Sequence, residues 1–246
     1  MTTDTSSEQE TNIHGGSLDR SKVQMVDVGQ DIVTVKVWEL PVRLIHWVLF
    51  GSVMVLAVTG FYIGSPFLDA GDETGFTMGR VRFIHALTAW VFILAVLSRI
   101  VWAFIGNRWA RWRQFVPVDK VRRHWGKETL KYYLFMKKEP PPAVGHNPLA
   151  GLTYLVVYAM FFVQILSGLA LQALASPGSW KWSVAGWLFE VMSLQAVRLM
   201  HHMIMWLTLG FMIHHIFSAL LVDMDERSGL VSSIITGYKR VPRERL

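Results

Sequence analysis

The sequence of 246 residues contains no cysteine. This absence excludes disulfides, thiolate metal sites, cysteine-ligated iron–sulfur clusters and covalent c-type haem attachment within the chain. A metal would therefore have to be held by histidine, carboxylate or methionine side chains. Charge is also scarce, since Asp, Glu, Lys and Arg make up only 17% of the residues. Apolar residues make up 52%, and the positive mean hydropathy argues against a soluble domain of this length.

Four apolar stretches are long enough to cross a bilayer as helices, which requires about 20 residues each. They cover approximately residues 42–63, 82–105, 149–173 and 198–222, and the shorter stretch 186–197 is interpreted as an interfacial helix leading into the fourth span. The eleven Trp, fourteen Phe and six Tyr suit a protein that meets two membrane interfaces. The predicted fold is all-α, a four-helix transmembrane bundle.

The bundle is predicted to occupy a domain over residues 36–240, with a short C-terminal tail over 241–246. Residues 1–35 are polar and rich in Thr, Ser, Asp and Glu, and they lack the basic-then-apolar pattern of a cleaved signal peptide. They are therefore predicted to form a flexible cytoplasmic tail.

Basic residues are concentrated in the link between the second and third spans and after the fourth span. They are Arg108, Arg111, Arg113, Lys120, Arg122, Arg123, Lys127, Lys131, Lys137, Lys138, Lys239, Arg240, Arg243 and Arg245. The link after the first span is acidic instead, at Asp69, Asp72 and Glu73. Because cytoplasmic loops carry the excess of Lys and Arg, both termini are predicted to be cytoplasmic. The net charge of +6 is interpreted as this topology signal rather than as a nucleic-acid-binding patch.

Six of the nine histidines lie within the predicted spans. They are His46, His85, His201, His202, His214 and His215. Ionisable side chains inside a bilayer are costly, so each one is a candidate functional residue. His201 and His215 are fourteen positions apart, which places them about 40° apart around a helix and about 21 Å apart along it. Among the histidines of the fourth span, only these two lie on one face of the helix at two different depths, which two haems stacked against one helix would require. His202 and His214 are interpreted as interface, helix-contact or hydrogen-bonding residues.

Partners for these two histidines follow from the direction of each span. Because the first span runs outward and the fourth inward, His46 and His215 both lie toward the cytoplasm. The second span runs inward, so His85 lies on the outer side with His201. A haem in an electron carrier can take two axial imidazoles. The predicted ligand pairs are therefore His46/His215 and His85/His201.

An arginine lies three residues before each of three predicted ligands, at Arg43, Arg82 and Arg198. Since positions i and i+3 share a helix face, these guanidinium groups could bind the haem propionates. They could equally snorkel to lipid headgroups. Arg99 lies deeper in the second span, where it either snorkels or meets a propionate of the inner haem.

Glycines within the spans could admit a flat macrocycle close to the backbone. They are Gly51, Gly60, Gly168 and Gly210. Packing between helices is the commoner use of glycine in membranes, and we favour it here.

Several motifs, in order along residues 36–240, resemble the b-type cytochrome subunit of membrane-bound nickel–iron uptake hydrogenases. They are ELPVRLIHW (39–47), MGRVRFIH (78–85), GHNPLAG (145–151), the H-x13-H of the last span and SSIITGYKR (232–240). The related membrane subunit of respiratory formate dehydrogenases shares the plan of four spans and two haems. The resemblance implies the same four ligands: His46, His85, His201 and His215.

The resemblance also implies a role in the bacterial cytoplasmic (inner) membrane. Such a subunit anchors the small and large subunits of the hydrogenase, and carries electrons from the iron–sulfur small subunit through two haems b to the quinone pool. It is the quinone-reducing subunit of the complex and does not cleave hydrogen itself. His146 and Asn147, at the start of the third span, are candidates for binding quinone, although GHNP is also typical of a helix entry with Asn147 as N-cap.

Two alternatives remain open. The chain could serve a formate dehydrogenase or another periplasmic reductase. It could also be a histidine-dependent proton or solute transporter, for which acidic residues or broken helices at mid-membrane are expected. Spans two to four contain neither Asp nor Glu, which argues against a transporter.

Overall fold

A computed structural model describes residues 25–27, 32–66, 76–116, 124, 126–128, 130–131, 134, 136 and 148–242. Most of these residues are helical. The chain divides into two units. The histidine unit comprises Leu40–Ile105 and Val156–Leu221, and the sheet unit comprises Met1–Glu39, Gly106–Leu155 and Val222–Leu246.

Four long helices correspond to the four predicted spans. They are α1 (Leu40–Gly64), α2 (Thr77–Ile105), α3 (Pro148–Ala173) and α6 (Leu194–Glu226). Within the part of the chain that the structure describes, these four are long and apolar enough to cross a membrane. The prediction of four such helices is confirmed. The helices α2 and α6 extend beyond the predicted bounds because helical backbone continues through polar residues that an apolar stretch leaves out.

The connection from α3 to α6 differs from the single interfacial helix predicted over residues 186–197. It contains two short helices, α4 (Trp180–Ala185) and α5 (Leu188–Val191). Extended backbone at Met192 ends α5. Ser193 then acts as the N-cap of α6, since its Oγ accepts a hydrogen bond of 3.2 Å from the backbone N–H of Ala196. The last residues of the predicted interfacial helix therefore belong to the fourth long helix.

The histidine unit is apolar on the inside and also on the outside. Its core includes Phe92 of α2 and Phe161 of α3, whose rings meet edge to face with centroids 4.9 Å apart. Large apolar side chains such as Val58, Leu94 and Phe162 are more than half exposed. A water-soluble bundle would cover such side chains or replace them with polar ones, whereas lipid accommodates them.

The sheet unit contains a three-stranded antiparallel sheet in the order β1-β2-β3. The strands are β1 (Met25–Asp27), β2 (Ile32–Lys36) and β3 (Tyr238–Pro242). In the register, Met25 pairs with Val35, and Thr34 pairs with Arg240. The predicted boundary of a flexible tail at residue 35 is therefore wrong for residues 25–27 and 32–35, and β3 extends into the predicted C-terminal tail. Because β3 lies about two hundred residues after its partner β2, local polarity did not reveal the pairing of these two strands.

Hydrogen bonds connect residues 37–38 with the segment SSIITGYKR (232–240) inside the sheet unit. The backbone N–H groups of Val37 and Trp38 donate to the Gly237 carbonyl at 2.9 and 3.1 Å. The Trp38 indole N–H donates to Ser233 Oγ at 3.1 Å. Gly237 adopts a left-handed backbone (φ 91°) where it ends helix α7 (Leu230–Thr236), a conformation that disfavours other residues. Residues 37–38 and 233–237 are therefore neighbours within the sheet unit.

Candidate functional site

The imidazoles of His46 on α1 and His215 on α6 face each other inside the histidine unit. Their ring centroids are 6.4 Å apart, and the ring planes are inclined at 54°. Two imidazoles bound to one metal through bonds of about 2 Å would have centroids roughly 6 Å apart. Nδ1 of His46 is buried and has no hydrogen-bond partner among the described residues. The geometry of this pair therefore fits a single metal held between the two rings.

Aromatic rings enclose this first pair. Trp47 lies perpendicular to the His46 ring at a centroid distance of 5.4 Å. Phe211, one turn before His215 on α6, stacks on its ring at 5.5 Å with the planes 18° apart. Packing against apolar rings thus restricts the orientation of both imidazoles.

His85 on α2 contacts α1 through a hydrogen bond. Its Nδ1 lies 2.8 Å from Oγ1 of Thr59. The Thr59 hydroxyl donates its single proton to the Val55 carbonyl at 2.7 Å, so it can only accept from the imidazole. Nδ1 of His85 therefore carries the ring proton, and Nε2 remains free to bind a metal.

His201 on α6 contacts α3 in the same way. Its Nδ1 lies 2.8 Å from Oγ of Ser167, and this hydroxyl donates to the Val163 carbonyl at 2.7 Å. Ser167 must therefore accept the Nδ1 proton of His201. The unprotonated Nε2 lies 3.2 Å from the side-chain nitrogen of Gln164, which is consistent with its role as an acceptor.

His85 on α2 and His201 on α6 lie close enough to interact electrostatically. Helix α6 is continuous from Leu194 to Glu226, so His201 and His215 are separated by about 21 Å along one helix axis. The structure thus places His46 opposite His215 and His85 within electrostatic range of His201, and the assignment of these residues as metal ligands stays a prediction.

No group of three His, Cys, Asp or Glu side chains that could hold a metal ion occurs among the described residues. Two imidazoles alone leave most coordination positions of a metal unfilled. A macrocycle that supplies the remaining donors, as haem does, suits such a two-histidine site. The donor set therefore fits haem better than a bare ion.

The other two intramembrane histidines have different surroundings. The His202 ring lies 6.0 Å from the ring of Phe61 and 6.4 Å from that of Trp206. His214 is exposed, and its Nε2 lies 3.4 Å from Oγ of Ser218 on the same helix. These are contacts of packing and local hydrogen bonding.

The arginines differ in burial. Arg43 is half-buried one turn before His46, whereas Arg82 and Arg198 are exposed, and Arg198 donates to Gln195 Oε1 at 3.5 Å. Arg99 is only 7% exposed and lies within electrostatic range of Tyr158. Its burial excludes the alternative that it snorkels to the membrane surface.

The glycines divide into two kinds. A Cβ placed on Gly60 would lie 3.5 Å from Cε1 of His85, and one on Gly168 would lie 3.2 Å from Cε1 of His201. A Cβ on Gly51 or Gly210 would meet no atom of the described chain within 4 Å. The helix-packing interpretation therefore finds no support at Gly51 and Gly210, whereas Gly60 and Gly168 make room for imidazoles.

The quinone candidates His146 and Asn147 lie outside the described residues. Pro148 is the first residue of α3, as the helix-entry interpretation of GHNP predicts. Sequence reasoning missed Thr59, Ser167 and Gln164 beside the histidines. The available signal was a hydroxyl residue directly before each of the two ring-contacting glycines in otherwise apolar spans.

Known proteins are similar to this sequence over most of its length. Residues 37–237 match the family described as prokaryotic cytochrome b561. A probable Ni/Fe-hydrogenase B-type cytochrome subunit of Cupriavidus necator is 38% identical over 224 residues, covering 86% of this chain and 89% of the relative. The protein of the same description from Bradyrhizobium diazoefficiens is 37% identical over 215 residues, which cover 84% of this chain and 86% of the relative. A probable Ni/Fe-hydrogenase 1 B-type cytochrome subunit of Escherichia coli is 32% identical over 224 residues, which cover 87% of this chain and 94% of the relative.

Proposed function

Since the chain belongs to the prokaryotic cytochrome b561 family, we propose that it holds two haems b and carries electrons across the bacterial inner membrane. The observation that supports this most directly is the arrangement of four histidines. One helix presents His201 and His215 at two depths, and each of these has a second imidazole from another helix nearby. Each pair can supply the two axial ligands of one haem.

The haem, when bound, supplies a one-electron redox couple at each of the two depths. The chain supplies position and environment. His46 and His215 hold one site, and His85 and His201 hold the other. Arg43, one turn from His46, is placed to bind a propionate at its end of the bundle. The apolar core between the sites keeps the local dielectric low and excludes water.

Arg82 and Arg198, three residues before His85 and His201, complete the proposed set of propionate contacts. Both side chains are exposed, so each can reach a propionate near the membrane surface. Arg99 is buried near Tyr158 and is a fourth candidate, for the haem at His46 and His215.

The distribution of charge supports an orientation with both termini in the cytoplasm. Arg108, Arg111 and Arg113 follow α2, and Lys239 and Arg240 follow the fourth long helix. By the positive-inside rule these segments are cytoplasmic. In this orientation the pair His46/His215 lies toward the cytoplasm, and the pair His85/His201 lies toward the outer face.

The relatives are described as cytochrome subunits of Ni/Fe-hydrogenases, so the proposed partners are the small and large subunits of such an enzyme. Hydrogen cleavage is assigned to the partner, since a chain without cysteine has no thiolate to hold nickel or iron. Membrane quinone is the proposed electron acceptor, with His146 and Asn147 as proposed contacts.

A histidine-dependent transporter is the less suitable alternative. Substrate sites of such proteins are commonly formed by interrupted helices near the bilayer midplane. Each of the four long helices here runs without a break through its apolar part.

The deciding experiment is a reduced-minus-oxidised visible spectrum of the purified full-length protein, with haem quantified per chain. Two haems b per chain are expected. His201→Ala should retain one haem, and the matched variant His202→Ala should retain both, because His202 packs against aromatic rings. A properly assembled protein without haem absorbance would refute the proposal, and haem loss in His202→Ala alone would refute the ligand assignment.

A further inference from the structure

We infer that two dipeptides, Thr59–Gly60 on α1 and Ser167–Gly168 on α3, are positioning residues that lower the redox potential of the haem bound between His85 and His201. This inference rests on the proposed function, because it needs a haem at that pair. Neither dipeptide would contact the iron. Each would act through the imidazole that it holds.

The two dipeptides make equivalent contacts from different helices. In each, the hydroxyl oxygen lies 2.8 Å from Nδ1 of a histidine. In each, the following glycine lies against Cε1 of the same ring. A hydroxyl thus accepts from one atom of the imidazole while the missing glycine side chain leaves space for the adjacent atom. We call each such arrangement a hydroxyl–glycine cradle.

The direction of both hydrogen bonds follows from the backbone. Thr59 and Ser167 each donate their only hydroxyl proton to the carbonyl four residues earlier, at 2.7 Å. Their remaining lone pairs can only accept, so each imidazole must present Nδ1–H to its cradle. Both rings of the pair are therefore held in the tautomer whose Nε2 is unprotonated.

A hydrogen bond donated by the far nitrogen of a metal-bound imidazole makes the ring a stronger electron donor. Stronger donation favours the oxidised metal, so it lowers the redox potential. The His85/His201 pair has such a bond on both rings. In the other pair, Nδ1 of His46 has no hydrogen-bond partner among the described residues. The cradles therefore act on one of the two haem sites selectively.

The test uses Thr59→Val and Ser167→Ala in the full-length protein, with a spectroscopic redox titration and haem quantification for each. Both variants should keep two haems and should raise the potential of one haem while leaving the other unchanged. Loss of an outer-shell partner commonly costs 10–100-fold in metal affinity or activity. For the double variant we expect about a tenfold change in the reduction equilibrium, which is about 59 mV for a one-electron couple.

Further variants separate tuning from structural support. Thr59→Ser and Ser167→Thr retain a hydroxyl and should keep the original potential. Thr208→Val removes a buried hydroxyl on α6 that donates to the Ile204 carbonyl in the same manner, and it should shift neither potential. His46→Ala should retain only the haem between His85 and His201, and Ser167→Ala added to it should still raise the remaining potential.

Two haems with unchanged potentials in the Thr59→Val and Ser167→Ala variants would overturn this inference while leaving the proposed function intact. Loss of one haem in both variants would also overturn it, since the dipeptides would then be supports rather than tuning elements. A wild-type protein without haem would overturn both the inference and the proposed function.

Discussion

The two histidine pairs of this protein have the same donor atoms but different surroundings. The His46/His215 pair is enclosed by the rings of Trp47 and Phe211. The imidazoles of the His85/His201 pair donate hydrogen bonds to hydroxyl groups on neighbouring helices. If each pair binds a haem b as proposed, the difference would give two chemically identical haems different properties, because groups one step away from the metal control ligand orientation and electron donation.

The largest expected effect comes from removing a ligand from one pair at a time. His46→Ala and His85→Ala should each lower the haem content from two to one per chain, because an iron with a single axial imidazole is held weakly. The haem that remains should differ in potential between the two variants. Haem quantification and redox titration measure both quantities, and identical potentials would contradict the contrast between the pairs.

An intermediate effect is expected from filling the space beside a ring. Gly168→Ala would place its Cβ 3.2 Å from Cε1 of His201, a distance that forces the ring to move by a few tenths of an ångström. We expect haem to be retained about tenfold less firmly, as is common when a group that orients a metal-binding imidazole is disturbed. The rate at which haem transfers from the protein to added apomyoglobin measures how firmly the haem is retained.

Two glycine variants calibrate this result. Gly60→Ala should have a smaller effect, since the corresponding distance of 3.5 Å is an ordinary contact, and Gly210→Ala should have none, since its Cβ would meet no described atom within 4 Å. Equal effects at Gly168 and Gly210 would show that helix propensity, rather than contact with His201, is responsible.

The smallest expected effect concerns the aromatic enclosure of the first pair. Phe211→Leu keeps the site apolar but removes a ring stacked on His215, an interaction worth about 0.5–1.5 kcal/mol. Low-temperature electron paramagnetic resonance should show a broader spread of ligand orientations at one haem only. A change at both haems would indicate a general loosening of the bundle.

Much of the site could be predicted from the sequence because helix geometry is regular. A residue separation of fourteen specifies a shared face and a depth difference wherever the chain is helical, so His201 and His215 could be selected over His202 and His214. Alternating helix direction then matched each of them with His46 or His85. These steps need only the span assignments, which the long helices of the structure confirm.

The hydroxyl–glycine cradles could not be predicted in this way. Thr59 and Ser167 lie in apolar spans where a hydroxyl can simply bond to its own helix, as Thr208 does. Which hydroxyl also meets an imidazole depends on how α1 packs beside α2 and how α3 packs beside α6. The rotation of one helix against another depends on side-chain packing along both helices, which no local pattern contains.

The sequence alone determined that this chain forms four apolar helices with histidines at two depths, since hydropathy and helical periodicity are local properties. Only the tertiary structure decided that residues 25–27 and 32–36 form a sheet with Tyr238–Pro242, and that one histidine pair is held by hydroxyls while the other is enclosed by aromatic rings. These features join residues far apart in the chain, and the contacts that select them exist only once the helices and strands have packed.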